Sequence, residues 1–209
     1  MTAIDPSVAC ILLAAGSARR FGGGKLYAPL GGRPLWEWAA GRLEAAGFVS
    51  RYLVVKGGDD PQPGRPGWQL VENPSAEEGI ASSIRAGVLA AAGHARVVIA
   101  LADMPFVDPN HLAALAGGEG TLFTRFPEGR PGCPAAFPAD AFPDLLELRG
   151  DRGAAALCAS LGGTTRTSPG GASATFDVDS DADLTKAEQM LRREPALYLD
   201  QRPPNLPAR

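Results

Sequence analysis

The run Val8-Ala9-Cys10-Ile11-Leu12-Leu13 is apolar at every position and passes directly into Ala14-Ala15-Gly16. A strand with no polar alternation must be covered on both faces, which is the situation of an inner strand in a parallel sheet flanked by helices. Such a strand cannot sit at a solvated edge. Where it stops, at a small-residue turn, the chain reaches the edge at which open α/β sheets bind their ligands.

The rest of the sequence supports that architecture. Helix-like and strand-like runs alternate through the first half, the pattern of βαβ units. Pro34 opens an amphipathic helix over Leu35 to Ala46 that Gly47 closes. Strands are predicted at 52–55, 68–71 and 97–101, with a helix over 79–92 between the last two. Asp108 caps a helix to Ala116, and a strand follows at 121–123. The second half is less regular: a turn and strand within 129–137, helices over 140–148 and 152–161, a late strand at 174–178, and a final helix over 182–193. The predicted fold is α/β, a three-layer, doubly wound, mostly parallel sheet. At 209 residues with 45% apolar residues, one domain over 1–193 is expected, followed by a Pro-rich tail over 194–209.

Four segments carry chemistry. After Gly16 come Gly22-Gly23-Gly24 between Arg20 and Lys25. Glycines let backbone N–H groups close on an anion, and the two cations offset charge developing on a leaving pyrophosphate. The alternative is a solvated basic turn. The spacing fits neither G-x-x-x-x-G-K-[ST] nor G-x-G-x-x-G, so a P-loop kinase and a Rossmann dehydrogenase are not indicated. Leu101-Ala102-Asp103-Met104-Pro105 puts a carboxylate at the end of an inner strand, suited to Mg²⁺ with phosphate oxygens and water, or else to capping a turn. Asn73-Pro74 and Glu78-Gly79-Ile80-Ala81-Ser82-Ser83 form a loop-to-helix junction able to meet an anion or a base edge. Asp177 and Asp179 stand two residues apart and so share one face of an extended segment, as a second metal contact or as solvated charges.

Taken in chain order, these segments resemble the nucleotidyltransferases of the molybdenum cofactor type. Leu12 to Lys25 follows the pattern L-x-A-A-G-x-S-x-R-[FM]-G-x-x-K, except that Ala18 replaces its Ser, with Ser17 adjacent. Asp103-Met104-Pro105, Asn73 to Ile84, Gly132-Cys133-Pro134, Gly150-Asp151-Arg152-Gly153-Ala154 and Asp177-Val178-Asp179-Ser180 resemble the family's later elements. The resemblance implies a nucleotide-diphospho-sugar transferase-like, Rossmann-type fold and transfer of a nucleotidyl group onto a phosphorylated acceptor. It assigns catalysis to Arg20 and Lys25, and Mg²⁺ to Asp103 and Asp179. Nucleotide binding falls to Leu13, Ala14, Ala15, Gly16, Ser17, Asn73, Gly79, Ser82 and Ser83.

Ala14-Ala15-Gly16 with Ser82-Ser83 is the cytidine-type pairing of that family, so CTP is the expected donor. The expected acceptor is molybdopterin, with a molybdenum hydroxylase apoenzyme as recipient of the product. Methylerythritol phosphate, a sugar phosphate, guanylyl transfer to molybdopterin and a non-catalytic cofactor chaperone are the alternatives.

A formal charge of −3 and the absence of a Lys/Arg block argue against a nucleic-acid face. Cys10, Cys133 and Cys158 are scattered without C-x-x-C spacing, and His94 and His111 are read on helix-like surfaces away from Cys133, so a thiol nucleophile is not expected. With neither a signal peptide nor a membrane span legible, a cytoplasmic location is expected.

Overall fold

The computed structural model describes residues 3–16, 24–58 and 65–194. Thus Ser17, Ala18, Arg20, Gly22, Gly23 and the predicted tail beyond Glu194 lie outside the described residues.

The first strand, β1 (Val8–Leu13), is an inner strand buried along its whole length. A two-residue hairpin follows, β2 (Pro29–Leu30) and β3 (Arg33–Pro34), then helix α1 (Leu35–Ala46) and strand β4 (Ser50–Lys56). Strand β5 (Gln69–Asn73), helix α2 (Ile80–Ala90), strand β6 (Arg96–Leu101) and helix α3 (Pro109–Ala116) complete the regular half. The second half holds β7 (Leu122–Arg125), β8 (Pro131–Pro138), α4 (Phe142–Leu146), β9 (Thr164–Thr167) and α5 (Asp181–Arg193).

Seven strands form one sheet in the order β5-β4-β1-β6-β8-β7-β9. All neighbours pair in parallel except those of β8, which runs against both β6 and β7. The sheet is therefore the mostly parallel one expected. Connections leave β1 toward β4 and β5 and then cross back to β6, so the topological switch point lies at the carboxyl end of β1.

Side-chain alternation along β1 divides the core into two layers. Cys10 and Leu12 pack with Trp36, Ala39 and Leu43 of α1 and Leu112 and Leu115 of α3, whereas Ala9, Ile11 and Leu13 pack with Ala81, Ile84 and Val88 of α2 and Phe142 and Leu145 of α4. A third cluster seats α5 through Ala187 and Leu191 against Leu30, Leu35, Trp38, Phe106 and Val178. No helix among the described residues is long and apolar enough to cross a membrane.

Helix α2 lies close to the sheet because Gly87 faces it. A Cβ there would overlap Ile11 Cγ2 and stand 3.1 Å from Val54 Cγ2. Gly87→Ala is expected to lower unfolding stability by about 1–3 kcal/mol, the usual cost of overpacking a tight core, despite alanine's better helix propensity. Urea denaturation measures the change; a stabilised variant would contradict this packing.

Three predictions are corrected. Residues 174–178 form no strand: Gly171–Thr175 is a 3-10 helix, and the extended stretch after it is tied to the fold through Val178 N–H donating to Asp103 O at 3.0 Å. The strand of this region is instead β9, whose Thr-Thr-Arg-Thr sequence offers no apolar alternation. The helix predicted over 152–161 contracts to a 3-10 turn at Ala154–Leu157. His111, read as lying on a helix surface, is buried. Its Nε2 stands 2.9 Å from Thr124 Oγ1, which donates to Pro134 O, and burial lowers its pKa.

Candidate active site

The end of β1 is held from both sides. Ala14 N–H donates to Val54 O of β4 at 2.8 Å, and Leu13 O accepts from Ala102 N–H, just beyond β6, at 3.1 Å. Leu13 and Ala15 are buried, so these residues form the floor of the switch point. The chain is described again at Gly24, whose φ of 70° lies in the left-handed region and turns the backbone into the 3-10 helix Lys25–Tyr27.

That turn aims Lys25 at the carboxyl edge of β6. Its Nζ donates to Asp103 Oδ2 at 2.8 Å and to Asp179 Oδ1 at 3.1 Å, and the lysine side chain is only 12% exposed. Burial alone would lower the ammonium pKa. The Asp103 carboxylate, then that of Asp179, outweigh it and hold Lys25 above its ordinary value, fully charged at neutral pH. Asp103 Oδ1 is buried and has no hydrogen-bond partner among the described residues.

Asp103 is placed by its neighbours on the turn: Met104 is buried and its N–H donates to Leu101 O. Asp179 arrives from far along the chain. The fully buried Val178, bonded to Asp103 O, fixes the extended segment, and the residues on either side of Val178 then lean toward the site.

Asp177 lies within electrostatic reach of the same group. Loss of water on its inner side, followed by the negative charge of Asp179, raises its pKa above the ordinary carboxylate value, with Lys25 opposing. A carboxyl whose folded pKa is raised is least favourable when ionised. It therefore weakens the fold above that pKa, and the penalty fades as pH falls toward the unfolded value of 3.8. Asp177→Asn should accordingly raise the melting temperature at pH 7, with a gain that shrinks in acid. A gain that is flat with pH would dismiss this origin.

The side chains of the second predicted cluster come together but are turned inward. Asn73 Nδ2 donates to Ser82 Oγ at 2.8 Å and Ser83 Oγ at 3.0 Å, Asn73 Oδ1 accepts from Ser75 N–H, and Ser82 Oγ donates to Gly79 O. All three side chains are buried. They lock the end of β5 to the start of α2, so whatever approaches there meets a rigid backbone corner more than free hydroxyls.

Two relations escaped the sequence reading. One is that Lys25 touches both aspartates directly. The other is that the turn at Gly150 closes on the start of α2: Ala81 N–H donates to Gly150 O at 3.1 Å, and Gly79 has φ 100° and ψ 176° where it passes Gly150 and Asp151. Paired glycines at 79 and 150 were the available signal. Cys133 supplies no nucleophile: burial, then Asp103, push its thiol up to about 12, so it stays protonated.

Fold and site together place the chain among the α/β proteins that gather charged groups at the topological switch point of a parallel sheet. Residues 10–165 match the model of the MobA-like NTP transferase domain. The chain belongs to this family of nucleotidyltransferases. It is 31% identical over 192 residues to a molybdenum cofactor guanylyltransferase of Cereibacter sphaeroides, covering 88% of this chain and 97% of that one. It is 30% identical over 171 residues to the purine catabolism protein PucB of Bacillus subtilis, covering 75% and 82%. Among solved structures, an Rv0371c homolog from Mycobacterium sp. strain JC1 superposes with a TM-score of 0.77 at 24% identity, over 90% of this chain and 98% of that one.

Proposed function

We propose that the protein transfers CMP from CTP to the terminal phosphate of molybdopterin, releasing pyrophosphate and leaving the nucleotide joined through a diphosphate. The observation that carries the transfer reading is Lys25 drawn against Asp103 and Asp179 beside the β1 floor. A partly buried, fully charged ammonium is suited to the β- and γ-phosphates, where negative charge accumulates as pyrophosphate leaves. Arg20, at the family's arginine position in the first loop, adds a second cation. The Gly16 and Gly24 ends of that loop position the phosphate chain, and the acceptor oxygen attacks the α-phosphorus with no covalent enzyme intermediate.

Asp103 and Asp179 fit Mg²⁺. They offer hard carboxylate oxygens, one of them the unpartnered Asp103 Oδ1, and no group of three or more metal-binding side chains converges among the described residues. The remaining ligands would then be phosphate oxygens and water, the usual Mg²⁺ set. When bound, the ion supplies charge stabilisation at the phosphates. Asp177 remains outside the ligand pair.

Support for CTP comes from Ala14-Ala15-Gly16 and from the closed corner at Asn73, Gly79, Ser82 and Ser83, which favours a single-ring base read by backbone groups. The guanylyl reading is favoured by the relative's name, molybdenum cofactor guanylyltransferase. Thermal-shift titration with CTP, GTP, UTP and ATP in the presence of Mg²⁺ separates them: CTP should stabilise most, and a larger shift with GTP would reassign the donor. Molybdopterin as acceptor has the same relative behind it, and the pyrophosphate released with molybdopterin, methylerythritol phosphate or sugar phosphates tests it. A cofactor chaperone would bind without releasing any.

A further inference from the structure

We propose that Lys25 makes this site select its divalent cation as the nucleoside triphosphate complex and reject the free ion, because the ammonium holds the carboxylate oxygens that the cation needs. The proposal rests on the nucleotidyl-transfer reading above and assigns Lys25 a role that precedes chemistry.

The geometry is specific. Lys25 Nζ makes charge-assisted hydrogen bonds to Asp103 Oδ2 at 2.8 Å and Asp179 Oδ1 at 3.1 Å, so one cation joins two carboxylates from separate parts of the chain. The pairing is protected from water on the lysine and Asp103 sides, whose side chains are 12% and 22% exposed, while Asp179 is 52% exposed. A small divalent ion bridging the same two carboxylates would stand within a few ångström of the ammonium. Like charges at that range repel strongly in a partly dehydrated site. Mg²⁺ also sheds its water reluctantly, and two aspartates that share one lysine keep only half their charge uncompensated, which offsets less of that cost.

A triphosphate changes both terms. Its oxygens give Lys25 a better charged partner, drawing the ammonium off the aspartates. They also bring the ion with part of its coordination already complete. Metal and nucleotide are therefore coupled through the movement of one side chain: each raises the affinity of the other by the same factor. The long, flexible lysine stem suits this exchange, where a rigid arginine fork would not. Held by Lys25, the aspartates are also kept from binding stray divalent ions that could seat an acceptor phosphate without its nucleotide.

The test titrates Mn²⁺ into the full chain and follows the free ion by electron paramagnetic resonance. Wild type should bind Mn²⁺ weakly alone and at least about tenfold more tightly with α,β-methylene-CTP, and the analogue should gain the same factor from Mn²⁺. Lys25→Gln should bind free Mn²⁺ at least about tenfold more tightly than wild type, and Lys25→Arg should not. The proposal is overturned if folded Lys25→Gln binds free Mn²⁺ no more tightly than wild type while nucleotide still stabilises the protein. It is equally overturned if wild type binds Mn²⁺ as well alone as with the analogue, a comparison that does not depend on the variant folding. Failure of the transfer reading looks different: no nucleoside triphosphate shifts the melting temperature, with or without metal, and the proposal falls with it.

Discussion

Asp103→Asn should lower the rate of pyrophosphate release from CTP and acceptor by roughly 10²–10³-fold, the loss seen when one preorganised electrostatic contact is removed from a transition state. The substitution preserves shape. The main-chain bond that Asp103 O accepts from Val178 N–H is unaffected, so the segment bearing Asp179 stays in place. What disappears is the charge: the 2.8 Å ion pair with Lys25 is lost and the 3.1 Å pair with the more exposed Asp179 remains. A single amide oxygen also cannot serve both Lys25 and a hard cation, as the two oxygens of Asp103 can. Because the lost carboxylate charge is the one that would hold the cation at the reacting phosphates, kcat should fall more than nucleotide affinity does. Full turnover by the asparagine variant, with a normal melting curve, would refute the assignment of Asp103.

A second large effect is expected at Gly79. Its φ of 100° with ψ 176° belongs to a region open essentially to glycine alone. A Cβ there would stand 2.5 Å from Asp151 Oδ1 and 2.5 Å from the carbonyl carbon and oxygen of Gly150, which are backbone atoms with no rotamer to yield. Backbone strain and overpacking add, so Gly79→Ala should lose roughly 2–5 kcal/mol of stability. For a chain of this size that is a fall in melting temperature of about 5–15 °C. The displaced Gly150 turn would release Ala81 N–H and move the Asn73–Ser82–Ser83 corner, weakening nucleotide binding more than it slows bound-state chemistry. A variant melting within a degree or two of wild type would show that the turn gives way freely.

How much could be read in advance depended on the kind of signal. β1 and α1 were legible to the residue because an unbroken apolar run and a proline-to-glycine frame each allow one arrangement. Asp103 was legible because a carboxylate just past an inner parallel strand has few places to go. The segment around Asp177 and Asp179 was half legible: alternation put both carboxylates toward one side, yet among the described residues the segment is held by the Val178 bond and the Lys25–Asp179 contact and pairs in no ladder, so the strand itself was wrong. β9 gave no signal, since an all-polar edge strand looks like a loop. The meeting of Lys25 with both aspartates spans 78 and 154 positions of sequence, and no local pattern encodes it. Ser17 and Arg20 lie outside the described residues, so their assignments stand on the family pattern alone.

The reversal of β8 has a consequence for how such a chain can diversify. Because β8 runs against β6, with Ile99 opposite Ala135, it is the beginning of β8 that reaches the ligand edge, and the hairpin tip joining it to β7 reaches there too. That tip is closed by its own bonds, Phe126 N–H to Arg130 O and Gly129 N–H to Phe126 O. Its length and composition can therefore drift without altering the ladder beneath or the floor at β1. The β1 floor and the hairpin tip are thereby parts of the molecule free to evolve at different rates.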